Sequence, residues 1–192
     1  MIPRLILFAK APVIGGAKTR LAAGIGKVPA WRRHRAMTAR LARSLQDRRW
    51  RMELWVSPDR MLSDRFPGVW PSRVDRRGQG AGDLGARQAR AFAARGPVCV
   101  IGTDAPQARR SDIAAAFRAL RRSDAVIGPA EDGGYWLLAL HAPAPRALFD
   151  DIRWSHAETR ADLEGRLSAC GLTRILHLRA LRDIDVAEDL RA

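Results

Sequence analysis

Cysteine is nearly missing: Cys99 and Cys170 are the only two in 192 residues. Their separation matches no zinc or redox spacing, and a disulfide-stapled scaffold is excluded, so the cytoplasm is the expected compartment. Long apolar runs are lacking as well. No stretch reaches the roughly 20 residues of a membrane span, and the opening MIPRLILFAK has too short an apolar run, and no small-residue cleavage site, for a secretory leader. Lysine is scarce, with only Lys10, Lys18 and Lys27 among 34 basic residues, which leaves 31 arginines. No Ser-His-Asp or Cys-His constellation is discernible, so nucleophilic catalysis by a side chain has no candidate.

What is present points to one globular domain over residues 1–192. The length suffices for a substantial core, and an apolar content of 47% is ordinary for a folded protein. The formal charge of +14 favours anionic partners such as nucleotides, phosphates or nucleic acid. The arginines are spread along the chain, however, and most read as solvated surface. Arg32, Arg33, Arg40 and Arg43, on a predicted helix over residues 29–47, make the best local case for nucleic acid, and it ranks well below the small-molecule readings.

Residues 4–9 (RLILFA) have the signature of a buried strand. A loop follows that holds Pro12, Gly15 and Gly16, with Lys18, Thr19 and Arg20 at its exit. Walker A spacing fails, because Pro12 and Ala17 stand where glycines are needed. The physical idea survives: a glycine-bearing loop after the first strand, with cations and backbone N–H groups at a helix start, suits a polyphosphate. Residues 51–57 alternate apolar and polar side chains and predict a second strand. Residues 58–74, with their prolines and Gly68, predict an irregular connection with one short strand before Asp75. In 79–87 (QGAGDLGAR), Gly78, Gly80 and Gly82 open the backbone before Asp83, which predicts an N-cap for a helix to about residue 95.

Residues 97–102 (PVCVIG) predict a buried strand with Asp104 just past its C-terminal end. Ligands of open α/β sheets bind there, and a carboxylate can hold a divalent cation carrying phosphates. A helix is predicted over 111–122. Residues 128–140 (GPAEDGGYWLLAL) then join two apolar runs through Glu131-Asp132-Gly133-Gly134, a hairpin signal with more acid and glycine than a plain turn requires. Ser155 and Glu158 have capping-box spacing before a helix over 160–167, and 174–178 predicts a last strand. His156 lies between these signals. Near the end, Asp185 and Glu188 have capping-box spacing too.

Strands alternating with helices, with acidic turns at strand ends, predict a three-layer α/β, Rossmann-like fold; the late hairpin predicts a mainly parallel sheet with one antiparallel strand. FAKAPVIGGAKTRLA, QGAGDLGAR, IGTDAP, GPAEDGGYWLLAL and DIDVAEDL occur in this order over nearly the whole chain. In them the sequence resembles a bacterial, glycosyltransferase-like branch of the nucleotide-diphospho-sugar transferase superfamily, which has the GT-A fold. That branch is similar to phospholactate guanylyltransferases and, more distantly, to molybdenum cofactor guanylyltransferases.

The resemblance implies that Gly15, Gly16, Lys18 and Arg20 form a nucleotide-phosphate loop, with Gln79 and Gly82 near the base. It implies Asp104 as principal ligand of Mg²⁺ or Mn²⁺, Asp185 as a second, and Asp132, Gly133, Gly134 and Tyr135 on the acceptor or sugar side. The chain departs from the branch at Trp154-Ser155-His156, where Thr usually follows Ser, and at Trp136, where a second Tyr is common. The Asp-X-Asp triplet of glycosyltransferases is also absent, since Ala105 and Pro106 follow Asp104.

The expected chemistry is metal-assisted displacement at a phosphorus or anomeric centre, with Lys18, Arg20 and Asp104 as the catalytic residues. Nucleotidyl transfer from an NTP to a small anionic acceptor is slightly favoured by the first loop. Glycosyl transfer from an NDP-sugar is the alternative, and a basic nucleic-acid-binding module the distant one.

Overall fold

The computed structural model describes residues 1–183 and residue 189. The apolar runs become the inner strands of a sheet, and the stretches between them, apolar on one side, become helices that cover it. In chain order the elements are β1 (Arg4–Lys10), α1 (Thr19–Ile25), α2 (Lys27–Ser44), β2 (Arg51–Ser57), β3 (Asp75–Gly78), α3 (Leu84–Ala91) and β4 (Gly96–Ile101). These are followed by α4 (Arg110–Ala119), β5 (Ala125–Pro129), β6 (Tyr135–Ala142), α5 (Thr159–Ala169) and β7 (Ile175–His177). Short 3₁₀ turns lie at Asp59–Met61 and Arg146–Phe149.

The seven described strands are ordered β3-β2-β1-β4-β6-β5-β7. β6 runs antiparallel to both of its neighbours, β4 and β5, and every other pairing is parallel. The expected α/β fold, mainly parallel with one antiparallel strand, is the one found. Side chains alternate between two cores. Leu5, Leu7 and Ala9 of β1 pack with Leu41, Leu45, Ile113 and Ala116 of α2, its C-cap and α4 on one face. Ile6 packs with Phe92, Phe149, Leu163 and Leu167 beside α3 and α5 on the other. Cys99 lies in the first of these cores, where burial pushes its thiol up.

Several expectations shift for identifiable reasons. The helix after Asp83 ends at Ala91 rather than near residue 95, because Phe92 is its C-cap and turns fully inward. The third strand begins at Asp75 rather than before it. The strand expected over 51–57 is β2; it is covered on both faces, as inner parallel strands are, and Glu53 is only 2% exposed. Its carboxylate accepts from Trp55 Nε1 at 3.0 Å and lies 3.7 Å from Arg4 Nη1 and 3.4 Å from Arg77 Nε.

The β5–β6 hairpin carries its own steric marker. A Cβ on Gly128 would lie 2.4 Å from the Trp136 indole, which fills the missing side chain's space and donates from Nε1 to the Arg179 carbonyl at 3.2 Å.

Glu53→Ala strands the Trp55 indole N–H and leaves Arg4 and Arg77 without their carboxylate. A buried donor left unsatisfied costs about 1–3 kcal/mol, so the urea midpoint of this variant falls, whereas Glu53→Gln, which keeps an acceptor, loses less.

Candidate functional site

Chain direction puts the site together. From β1 the chain crosses to β2 on one side, whereas β4 pairs on the other side, so the C-terminal ends of β1 and β4 flank a topological switch point. The loop after β1 ends in Lys18 and the loop after β4 holds Asp104. Across the switch point Lys18 Nζ lies 2.6 Å from Asp104 Oδ1. The lysine side chain is 5% exposed and the aspartate side chain 47% exposed, so the ammonium is sunk in the cleft wall while the carboxylate still faces solvent.

The first loop is propped from behind by α2. Trp31 Nε1 donates to the Pro12 carbonyl at 2.6 Å, and His34 Nε2 lies 3.0 Å from the Lys10 carbonyl oxygen. A carbonyl only accepts, so the imidazole proton is on Nε2 and Nδ1 is bare. That Nδ1 is buried without a hydrogen-bond partner. Burial is the largest influence on His34 and holds its pKa below the ordinary 6.5.

The loop after β3 is clamped by two charged side chains that sequence reasoning passed over. Both oxygens of Asp59 accept from Gly80 N, at 3.0 and 3.1 Å. Arg90 donates to the Gln79 carbonyl at 2.7 Å and to the Ala81 carbonyl. A Cβ on Gly80 would press on the Arg90 guanidinium, so the glycine admits the clamp. Gln79 is buried with its amide nitrogen directed at the backbone, 2.8 Å from the Trp55 carbonyl. Asp83 caps α3 as expected, accepting from Ala86 N at 2.8 Å.

Because β6 is antiparallel, its N-terminal end opens on the same edge of the sheet. Asp132 Oδ1 accepts from Gly134 N at 2.9 Å, and Tyr135 accepts from Gln88 Nε2 at 2.6 Å. Burial pushes the Tyr135 phenol above its ordinary range. Gly133 has φ +88, and a Cβ there would lie 1.9 Å from the Ala157 carbonyl oxygen. The hairpin link is therefore packed against the segment before α5. That segment does not form the expected Ser155–Glu158 capping box: Ser155 takes a left-handed φ of 58 and Glu158 is itself the N-cap. Thr159 does the work instead: its Oγ1 accepts from His156 N at 3.1 Å and lies 2.6 and 2.7 Å from the carbonyl oxygens of Arg153 and His156, which share its one proton. Arg153 also forks onto Asp162, whose carboxyl it holds down at about 2.

These loops enclose a cleft of about 750 Å³. Of the residues singled out in the sequence, Lys18, Arg20, Gln79, Asp104, Asp132, Gly134 and Tyr135 line it. Gly15, Gly16, Gly82 and Gly133 shape the surrounding loops without lining it, and Asp185 lies outside the described residues. His34, Arg87, Gln88, Trp154, His156 and Asp183 line it as well. His34 had a signal, since it falls on the buried stripe Ala30, His34, Met37, Leu41. Arg87 and Gln88 had none beyond their place on α3. No group of three or more His, Cys, Asp or Glu is arranged to hold a metal among the described residues.

Comparison with known proteins agrees with this architecture. The family described as "Uncharacterized protein conserved in bacteria (DUF2064)" matches residues 40–156, and the chain belongs to that family. A solved protein of Desulfovibrio desulfuricans G20, provisionally named a nucleotide-diphospho-sugar transferase, is 26% identical, with a TM-score of 0.89 over 98% of this chain and 84% of its own. The 4-diphosphocytidyl-2C-methyl-D-erythritol synthase of Anaerococcus prevotii DSM 20548 shares the fold at 11% identity, with a TM-score of 0.60 over 99% of this chain and 93% of its own. A CMP:2-keto-3-deoxy-manno-octonic acid synthetase complexed with CTP does so at 13% identity, with a TM-score of 0.56 over 98% and 95%. No curated protein matches the sequence. The fold is thus that of the nucleotidyl and sugar-nucleotide transferases, as the sequence resemblance implied.

Two outcomes are expected. With the folded pKa of His34 below 6.5, the unfolded chain takes up the proton first as pH falls. The contribution is complete above about pH 6.5 and is lost below it, so the urea midpoint of the wild type declines more steeply from about pH 7.5 to 5.5 than that of His34→Gln. Gly133→Ala combines left-handed strain with a clash against backbone and costs about 2–4 kcal/mol, read as a Tm drop of several degrees.

Proposed function

We propose that the protein is a transferase acting on a nucleotide-activated donor held in this cleft, by nucleotidyl transfer from an NTP to a small anionic acceptor. The observation that carries the reading is the Lys18–Asp104 pair across the switch point, where open α/β sheets take their ligands. An oxygen of the acceptor attacks the α-phosphorus, the α–β bridging bond breaks, and pyrophosphate leaves with the bridging electron pair. Lys18, fixed with little conformational freedom, and Arg20 at the cleft mouth stabilise charge accumulating on the leaving group. Positioning and charge stabilisation suffice for such a step, so no nucleophilic side chain is required.

Two carboxylates in the cleft, oxygen donors of the kind a hard divalent cation takes, support a metal in this reading. Asp104 remains 47% exposed beside its lysine partner, and Asp183 adds a second carboxylate to the same lining. Asp104 and Asp183, together with Asp185 beyond the described residues, would hold Mg²⁺ or Mn²⁺. Such an ion, when bound, supplies neutralisation of phosphate charge and polarisation of the reacting centre. Gln79 positions the β3 loop beside the base, and Asp132 and Tyr135 face the acceptor.

Glycosyl transfer from an NDP-sugar is the second reading, and the 26% identity to the Desulfovibrio protein favours it. Product analysis decides: pyrophosphate supports the first reading, a free nucleoside diphosphate the second. In either case Asp104→Ala and Lys18→Met lower kcat by about 10²–10³ while the circular dichroism stays native. A metal-dependent rise in Tm with one nucleotide class, lost in Asp104→Ala, supports the cleft as the donor site; no nucleotide-dependent rise overturns it.

A further inference from the structure

The arginines are spread along the sequence but not over the molecule. Residues 27–50 and 109–122, which form α2, α4 and their flanks on one face of the sheet, hold thirteen Lys and Arg against two acids, Asp47 and Asp112. The remaining residues hold 21 basic and 18 acidic side chains, so these two segments carry most of the net charge of +14. The connection over 58–74, which packs on the same face through Val69 and Trp70, adds three arginines and two acids, Asp59 and Asp64. Composition bias alone predicts arginine everywhere and gives no reason for the acids to avoid these two segments. Both acids of the two segments are already occupied: Asp47 accepts from Arg49 at 2.8 Å, and Asp112 from Arg179 at 2.8 Å. Arg32, Arg33, Arg40, Arg110, Arg118 and Arg121 are all exposed, and Trp50 packs on Phe117 to hold the two helices together.

At one end of this layer apolar side chains join the charge. Ile14 is 57% exposed and Val28 43% exposed. They belong to one rim, because the Trp31 indole, one turn beyond Val28, is bonded to the carbonyl of Pro12, two residues before Ile14. Arg35 lies over the same indole at 5.2 Å. Exposed aliphatics beside cations are unfavourable against a phosphodiester backbone and favourable at the boundary between headgroups and acyl chains.

We propose that the α2/α4 layer is a docking surface for an anionic lipid bilayer, held by its arginines with Ile14 and Val28 dipping into the interface. The protein lies on the membrane in this arrangement and does not cross it; no described helix is long and apolar enough to do so. The phosphate-side loop of the cleft then sits next to the headgroups.

Flotation with vesicles tests this. The wild type is expected to bind phosphatidylglycerol-containing vesicles and not pure phosphatidylcholine ones, with binding abolished between about 0.05 and 0.5 M salt. R32Q/R33Q/R40Q weakens binding by at least about tenfold, and Val28→Ser weakens it further without a change of charge. R95Q/R146Q/R160Q, with the same charge change on the opposite layer, leaves it near wild type. No partition onto anionic vesicles at low salt overturns the proposal, as does an equal loss in both triple variants. Tighter binding to a mixed-sequence oligonucleotide than to anionic vesicles at equal phosphate overturns it in favour of a nucleic-acid face.

Discussion

The adjacency of β1 and β4 is the constraint on which the site depends. Both strands are buried on both faces, and their parallel register, Leu7 against Ile101, delivers two loops to the same edge within one side chain's reach. Lys18 can meet Asp104 only because the chain turns away to β2 on one side and returns for β4 on the other. Apolar burial, which carries no chemical information, thus sets the geometry of the charged pair. The pair in turn sets a carboxylate beside an amine that is almost out of water, where an uncompensated charge is strongly disfavoured.

Much of this was legible in the sequence because the relevant signals are local. Apolar runs, glycines in loops and an aspartate just past a strand mark elements and their ends without any knowledge of what packs where. β2 was legible only in part. Its alternation marked the strand, but a carboxylate satisfied by an indole and two guanidiniums can be buried, and nothing in residues 51–57 announces partners from residues 4 and 77. The same holds for the β3 loop: Gly80 was visible, while Asp59, 21 residues before it, and Arg90, 9 residues after Ala81, fix its course. His34 was readable in principle from helical spacing. The segment before α5 misled because Ser155 and Glu158 have the right separation, whereas Thr159 offers the backbone a better hydroxyl.

The charge distribution shows the same separation of levels. Along the sequence the arginines look uniform, and a uniform distribution argues for a solvated surface. Folding sorts them, because α2 and α4, far apart in the chain, pack on one face of the sheet while α3 and α5 pack on the other. The acids that balance the rest of the chain sit in the loops and in α5 and its neighbourhood, which fall elsewhere. Long-range organisation of charge is therefore a property of topology and cannot be seen in a window of sequence.

The empty place left by Gly128 and filled by the indole of Trp136 works as a key in a lock for strand register. Sliding β6 by two residues keeps its inward and outward faces but brings the indole against Val126 or beyond Pro129, where no notch exists. Only one alignment of the two strands is sterically available, and it fixes the length of chain left over for the link between them. The acidic turn is held at five residues, Ala130 to Gly134, by a tryptophan that touches none of its carboxylates.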